Sequence, residues 1–187
     1  MPDWDLHYSD REVADQTVAS VLTDNPHLLP ATGTALDYAC GLAANGRWLA
    51  QQGFQVTAWD ASVVAVDKVN DYCLAHQINL QAEVHDLEQM PLPEAEVDVL
   101  VVSFFLHRPT LKQLIQLLKP GGLLFYQTFC GEQRNGRGPG NANFRLKPGE
   151  LLDVFDHQQV LYYREDGDYG SADQGLRDQA MIVVARS

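Results

Sequence analysis

The feature that most limits what this chain can fold into is a regular alternation of short β-rich runs with helical runs. "TALDYA" (34–39) reads as a buried strand, "NGRWLAQQG" (45–53) as a short helix stopped by Gly53, and "FQVTAWD" (54–60) as a second strand. Residues 61–77 carry Val63, Val66, Val69, Tyr72, Cys73 and His76 at helical spacing. "LQAEVHD" (80–86) is a third strand, and the Pro-containing connector 87–96 stands where a full helix is expected. "VDVLVVSFFL" (97–106) is continuous and apolar, as befits a central strand covered on both faces. An amphipathic helix over 110–119 then stops at Pro120-Gly121-Gly122, and "LLFYQTF" (123–129) is the fifth strand. A helix near 149–156 and strands near 158–164 and 180–186 complete the chain.

Strands alternating with helices imply crossover connections and a mostly parallel sheet. The last two strands lack a helical pattern between them, so a hairpin-like connection makes one of them antiparallel. The expectation is one α/β domain over residues 1–187, a doubly wound seven-stranded sheet with one antiparallel strand near the C-terminus. Within it, residues 1–30 are read as a helical lid and 31–187 as the α/β core.

Composition removes several classes of function. Net charge is −12, and such a surface repels phosphate backbones and anionic membranes, so nucleic acid is disfavoured as a partner. The longest apolar run, 97–106, contains Asp98 and is too short to span a bilayer. "MPDWDLHYSDRE" is acidic and polar, unlike a secretory or transit signal, and a cytoplasmic location is expected. Cys40, Cys73 and Cys130 are widely spaced, without a C-x-x-C pair, which argues against a disulfide framework and a structural zinc site. No metal is expected.

In open α/β sheets ligands sit beyond the carboxyl ends of the strands. The residues to weigh there are 38–44, Asp60 and Ala61, Asp86 and Leu87, Ser103 and its successors to 108, and 128–132. Asp60 closes the second strand 19 residues after Gly41, where an acid accepts hydrogen bonds from ribose hydroxyls or caps the following helix. That role is common to NAD and S-adenosylmethionine sites. The first loop discriminates between them. A pyrophosphate needs closely approaching backbone N–H groups, hence G-x-G-x-x-G, yet these positions read Ala39, Gly41 and Ala44. Asp37 adds a carboxylate that repels a diphosphate and suits a cationic or zwitterionic ligand, its other reading being to tie down the turn. S-adenosyl-L-methionine carries a sulfonium and an ammonium and no phosphate, so it fits better.

"LDYACGLAANGRWLA", with Asp37, Cys40 and Gly41, resembles the first motif of class I S-adenosylmethionine-dependent methyltransferases. "VTAWD" resembles their second motif, "VHDLE" the third, and "LLKPGGLLFYQTF" the late strand motif. Ordered over roughly residues 34–130, these imply a Rossmann-like fold with S-adenosyl-L-methionine as cofactor and Asp86 meeting the adenine amino group. "WDLHY" and "LKPGELL" narrow the resemblance to small methyltransferases of the tellurite-resistance type. The family shows glycine where this chain has Ala39 and Ala43, substitutions that are tolerated where backbone φ is negative.

Methyl transfer asks a protein mainly to align a nucleophile and exclude water, with a base only when the acceptor must lose a proton. His107, after the fourth strand, is the candidate base; its other reading is to order the loop before Pro109. His85 and Tyr126 read as structural. Trp4 and Tyr8, at i, i+4, form a lid or staple the N-terminus. The connector 130–147 collects Arg134, Arg137, Arg145 and Lys147 against one acid, Glu132, which reads as a mobile cover over an anionic acceptor or as a solvated loop. The cysteines read first as reduced thiols packing as small apolar groups, with Cys40 and Cys130 offering two thiols to a soft metalloid as the other reading. The leading expectation is a methyltransferase of a small-molecule acceptor. Alternatives are a non-catalytic protein of the same fold that binds the cofactor or a partner, and a nucleotide-dependent oxidoreductase.

Overall fold

A computed structural model describes residues 3–187 apart from 89–91, 134–135, 168, 170 and 172–173. Seven strands form one sheet: β1 (Thr34–Tyr38), β2 (Gln55–Asp60), β3 (Leu80–Val84), β4 (Val97–Ser103), β5 (Leu118–Phe129), β6 (Gln159–Glu165) and β7 (Gln179–Ala185). Their order is β3-β2-β1-β4-β5-β7-β6. The neighbours from β3 to β5 pair in parallel, while β7 runs antiparallel to both β5 and β6. The Rossmann-like seven-stranded sheet with one reversed strand is therefore as expected. The order turns back between β1 and β4, so the ends of these two strands flank the crevice where such sheets bind ligands.

Alternation along each strand divides the apolar side chains between two cores. Ala35, Ala58, Val99, Val101 and Phe125 pack with α2 (Ser20–Thr23), α3 (Ala44–Gln51) and α4 (Val63–His76) on one face. Leu36, Tyr38, Leu100, Val102, Leu124 and Tyr126 pack on the other, against Leu111, Leu114, Leu151 and Phe155. Tyr126 is a core residue, its hydroxyl donating to the Phe105 carbonyl at 2.6 Å.

The helix expected over 110–119 is replaced. One α-helical turn, α5 (Arg108–Leu111), passes into a 3-10 helix over Lys112–Leu117, and the chain enters β5 at Leu118. The tighter 3-10 winding eclipses residues three apart, which aligns Leu111, Leu114 and Leu117 on one row and buries all three. Pro120-Gly121-Gly122 does not follow a helix but lies within β5, where the register jumps from Val97 opposite Leu118 to Val99 opposite Leu123.

Segment 1–30 is not one helical unit. α1 (Trp4–Ser9) lies on α4, whereas Val21 and Leu22 of α2 are fully buried. Buried side chains fix that inner part: Asn45 accepts from the Ala19 N–H at 2.9 Å, and Gln127 accepts from the Val21 N–H at 2.8 Å.

Candidate active site

The loop after β1 is held from beneath by two buried carboxylates. Asp37 accepts the Gly46 N–H at 2.8 Å on Oδ2, and Asp60 accepts the N–H groups of Gly41 at 2.7 Å and Ser62 at 3.0 Å. Both carboxyls are raised above the usual range, first by burial, and each N–H bond opposes the rise. Asp37 is pushed up to about 7, with the nearby Asp60 charge adding to it. Its Oδ1 is buried and, among the described residues, has no hydrogen-bond partner within bonding distance, although the nearby Asn45 side chain also opposes the rise. A buried carboxylate oxygen left unpaired is costly, and a ligand ammonium is the complement it lacks. A diphosphate at this loop would face two acids. The residues present thus fit the amino-acid end of S-adenosylmethionine and not a dinucleotide.

The condition placed on the two alanines fails. Ala39 has φ +58° and Ala43 φ +52°, both left-handed, where a Cβ is strained and glycine is not. Ala43 sits at the N-cap of α3 without a side-chain cap, and its methyl is buried in the core.

Most of the other strand-end residues gather around this loop. Asn45 donates to the Ser103 hydroxyl at 2.8 Å, joining the start of α3 to the end of β4. The Cys40 N–H bonds the Trp59 carbonyl, and the Leu87 carbonyl accepts from the Tyr38 hydroxyl at 3.0 Å. Ala61 and Asp86 are exposed at the ends of β2 and β3, Asp86 accepting the Glu88 N–H. His85 packs on Trp59, ring centroids 4.4 Å apart, and bonds Glu83.

Tyr8 of α1 covers Gly41 so closely that a Cβ on that glycine would lie 2.7 Å from the phenol oxygen. Burial and the Asp60 charge push the Tyr8 phenol up. Two contacts fix α1 there. Asp5 accepts from Ser62 Oγ at 2.6 Å, and Lys68 donates to the carbonyls of Tyr8, Ser9 and Arg11. Trp4 stacks on Tyr8 at 6.4 Å and stays partly exposed.

Other candidates stand apart. The His107 ring bonds Thr110 Oγ1 at 3.1 Å, while Arg108 forms a forked ion pair with Glu150. Arg137 approaches Asp178 at 3.8 Å, and Arg134 lies outside the described residues. Among the described residues, neither His107 nor Arg137 bonds the Asp37–Asp60 cluster. Arg145 is no surface cation: it is buried and donates to six carbonyls, those of Cys130, Gly131, Glu132, Arg137, Pro139 and Asp178. Burial raises the thiols of Cys40 and Cys130, the latter to about 12, so both stay protonated and are poor soft-metal ligands. Among the described residues no cluster of three His, Cys, Asp or Glu side chains is arranged to hold a metal.

Sequence reading missed Phe104, half-exposed and left-handed at the end of β4. The paired aromatics in "SFFLH" were the available signal. It also missed Lys68 and Asp5, whose partners lie some 60 residues away, at separations of 60 for Lys68–Tyr8 and 57 for Asp5–Ser62. Two surface hollows, of about 420 Å³ beside Tyr72 and His76 and about 440 Å³ beside Leu92 and Gln116, lie at the opposite ends of the strands.

Residues 35–122 match the family model described as a methyltransferase domain. Malonyl-(acyl-carrier protein) O-methyltransferase of Serratia marcescens is 33% identical over 100 residues, covering 51% of this chain and 38% of that protein. The chain thus spans well under two-thirds of that relative's length. Two solved structures share the fold. TehB from Haemophilus influenzae superimposes with TM-score 0.73 at 18% identity, over 98% of this chain and 67% of that one. A TehB-like SAM-dependent methyltransferase from Corynebacterium glutamicum gives 0.64 at 19% identity, over 97% and 94%. The resemblance to class I S-adenosylmethionine-dependent methyltransferases is borne out.

Proposed function

We propose that the protein transfers a methyl group from S-adenosylmethionine to a small-molecule acceptor, working as one domain in the cytoplasm. The observation that carries this reading is the Asp37–Gly41–Asp60 arrangement, two buried acids around one loop, with Asp37 Oδ1 lacking a hydrogen-bond partner among the described residues. When bound, the cofactor supplies a methyl carbon already activated by its sulfonium. The chain's own residues then bind and orient. Asp37 holds the ammonium, Asp60 the ribose hydroxyls, and Ser103, fixed by Asn45, marks the β4 side of the crevice. Asp86, Leu87 and Ala61 border the adenine, while Cys40, Ala39 and Gly41 form the floor. Tyr8 excludes water from above, since its ring already lies against Gly41. His107 receives the acceptor's proton where one must leave, and Arg137 borders the acceptor's entrance.

Among the described residues no helix is long and apolar enough to cross a membrane. Calorimetry tests the reading. Binding of S-adenosylmethionine and S-adenosylhomocysteine in the micromolar range is expected, with at least a tenfold loss in Asp60→Ala. Absence of heat for both ligands, or tighter binding of NAD, overturns it. The strain at Ala39 and Ala43 favours a second reading, cofactor binding without transfer. Binding with no S-adenosylhomocysteine formed across a broad acceptor panel would select it.

A further inference from the structure

Phe104 is placed where neither packing nor backbone preference explains it. It belongs to an apolar run, yet of "FFL" only Phe105 and Leu106 turn inward, Phe105 meeting Tyr38 at 5.8 Å between ring centroids. Phe104 keeps 49% of its surface exposed. Its φ is +56°, a conformation that a bulky residue adopts only under constraint. The constraint is visible: its N–H remains in the sheet, donating to the Gln127 carbonyl at 2.8 Å. Gln127 is itself pinned by Val21 and Gln179. Strain of this kind persists where the surroundings over-determine it, and it concentrates at ligand clamps.

The ring has a companion. Phe129, at the end of β5, lies 5.2 Å from it, tilted by 44°. Phe129 is braced in turn by the Arg145 guanidinium at 5.2 Å and by Gly138, where a Cβ would come within 2.5 Å of the ring. Buried Arg145 holds that loop by its six carbonyl bonds, so Phe129 is a fixed backstop. The result is a half-exposed aromatic face beside Ser103, at the strand ends that flank the crevice.

We propose that Phe104, backed by Phe129, is the stacking surface for a planar aromatic acceptor; this rests on the methyltransferase reading of the same crevice. A flat ring gains from an offset or edge-on aromatic partner beyond area alone, whereas a puckered ring of equal skeleton does not.

The test compares 2-naphthol with decahydro-2-naphthol on protein saturated with S-adenosylhomocysteine, by calorimetry and saturation-transfer NMR. 2-Naphthol should bind about tenfold more tightly, the size of one aromatic stacking contact. Phe104→Gly removes the ring and relieves the left-handed strain together. The lost half-buried ring, its contact with Phe129 and the freer unfolded chain offset that relief, so Tm should stay within about 2 °C. The substitution should abolish the preference for 2-naphthol while S-adenosylhomocysteine affinity stays within about twofold, whereas Phe104→Tyr retains the preference. Equal affinity for the two alcohols, or an unchanged preference in Phe104→Gly, overturns the proposal. If S-adenosylhomocysteine does not bind, the methyltransferase reading fails. The alcohol comparison on the protein alone then still decides whether Phe104 is an aromatic platform.

Discussion

Ala39 carries a Cβ at φ +58°, a conformation that disfavours an L-residue by about 1–2 kcal/mol, and it is only half-buried. Replacing it with glycine removes that strain, while the freer unfolded chain offsets about 0.5–1 kcal/mol of the gain. Ala39→Gly is therefore expected to stabilise by about 0.5–1 kcal/mol in a denaturant melt. Ala43 has the same backbone, but its methyl is buried, and losing it costs about 0.8 kcal/mol, so Ala43→Gly should come out close to neutral. Asp37 makes a pH-dependent prediction. Its carboxyl is raised by burial from 3.8 to about 7, so the folded state holds the proton more tightly than the unfolded one. Such a group contributes stability fully below its unfolded pKa and loses it as pH rises to about 7. The Tm of Asp37→Asn relative to the unsubstituted protein should accordingly climb between pH 4 and 7 and then level off, while S-adenosylmethionine affinity drops more than tenfold. A Tm difference that stays flat over this range would refute the buried-acid account.

At the scale of elements, the connector 130–147 is organised by one side chain. Arg145 is buried and satisfies six carbonyls with a rigid planar fork, a geometry that lysine's three clustered donors do not reproduce. Arg145→Leu leaves those carbonyls unpaired, each costing about 1 kcal/mol or more unless water reaches it, so a loss of about 3 kcal/mol is expected. Arg145→Lys should recover little of it. Trypsin cleavage at Arg137, followed by mass spectrometry, should accelerate in both variants. α1 behaves differently because it is a six-residue helix with no buried residue, held on by Asp5 and Lys68. Lys68→Met should leave the melting of the sheet within about 0.5 kcal/mol, as surface substitutions do. It should nevertheless speed S-adenosylhomocysteine release several-fold in stopped-flow displacement, because Tyr8 is no longer kept against Gly41. These two elements also mark a limit of sequence reading. Four cations in one loop looked like a surface feature, and nothing local distinguishes Arg145, whose partners are main-chain oxygens.

For the whole molecule, the strands and the one reversed direction were legible, because continuous apolar runs, crossover helices and the missing helix before the last strand all leave periodic traces. The acids at the ends of β1, β2 and β3 were legible too, since their positions follow from where strands stop. Signs of φ at Ala39, Ala43 and Phe104 were not, because tertiary constraint and not residue type sets them. Nor was the 3-10 winding of Lys112–Leu117, which an amphipathic pattern does not separate from an α-helix. Charge joins the scales. The net charge is −12, Arg145 is engaged with carbonyls, and Arg137 faces Asp178, whose buried Oδ2 has no hydrogen-bond partner among the described residues. An anionic ligand approaching the crevice therefore meets the repulsion of the whole molecule with little local compensation. Salt screens that repulsion over about 10 Å at 0.1 M. For cofactor-loaded protein, affinity for 2-naphthoate should rise as NaCl is increased from 20 to 300 mM, while affinity for neutral 2-naphthol stays flat. If 2-naphthoate instead binds more weakly with added salt, Arg137 and its neighbours form a local anion site that outweighs the field of the remaining surface.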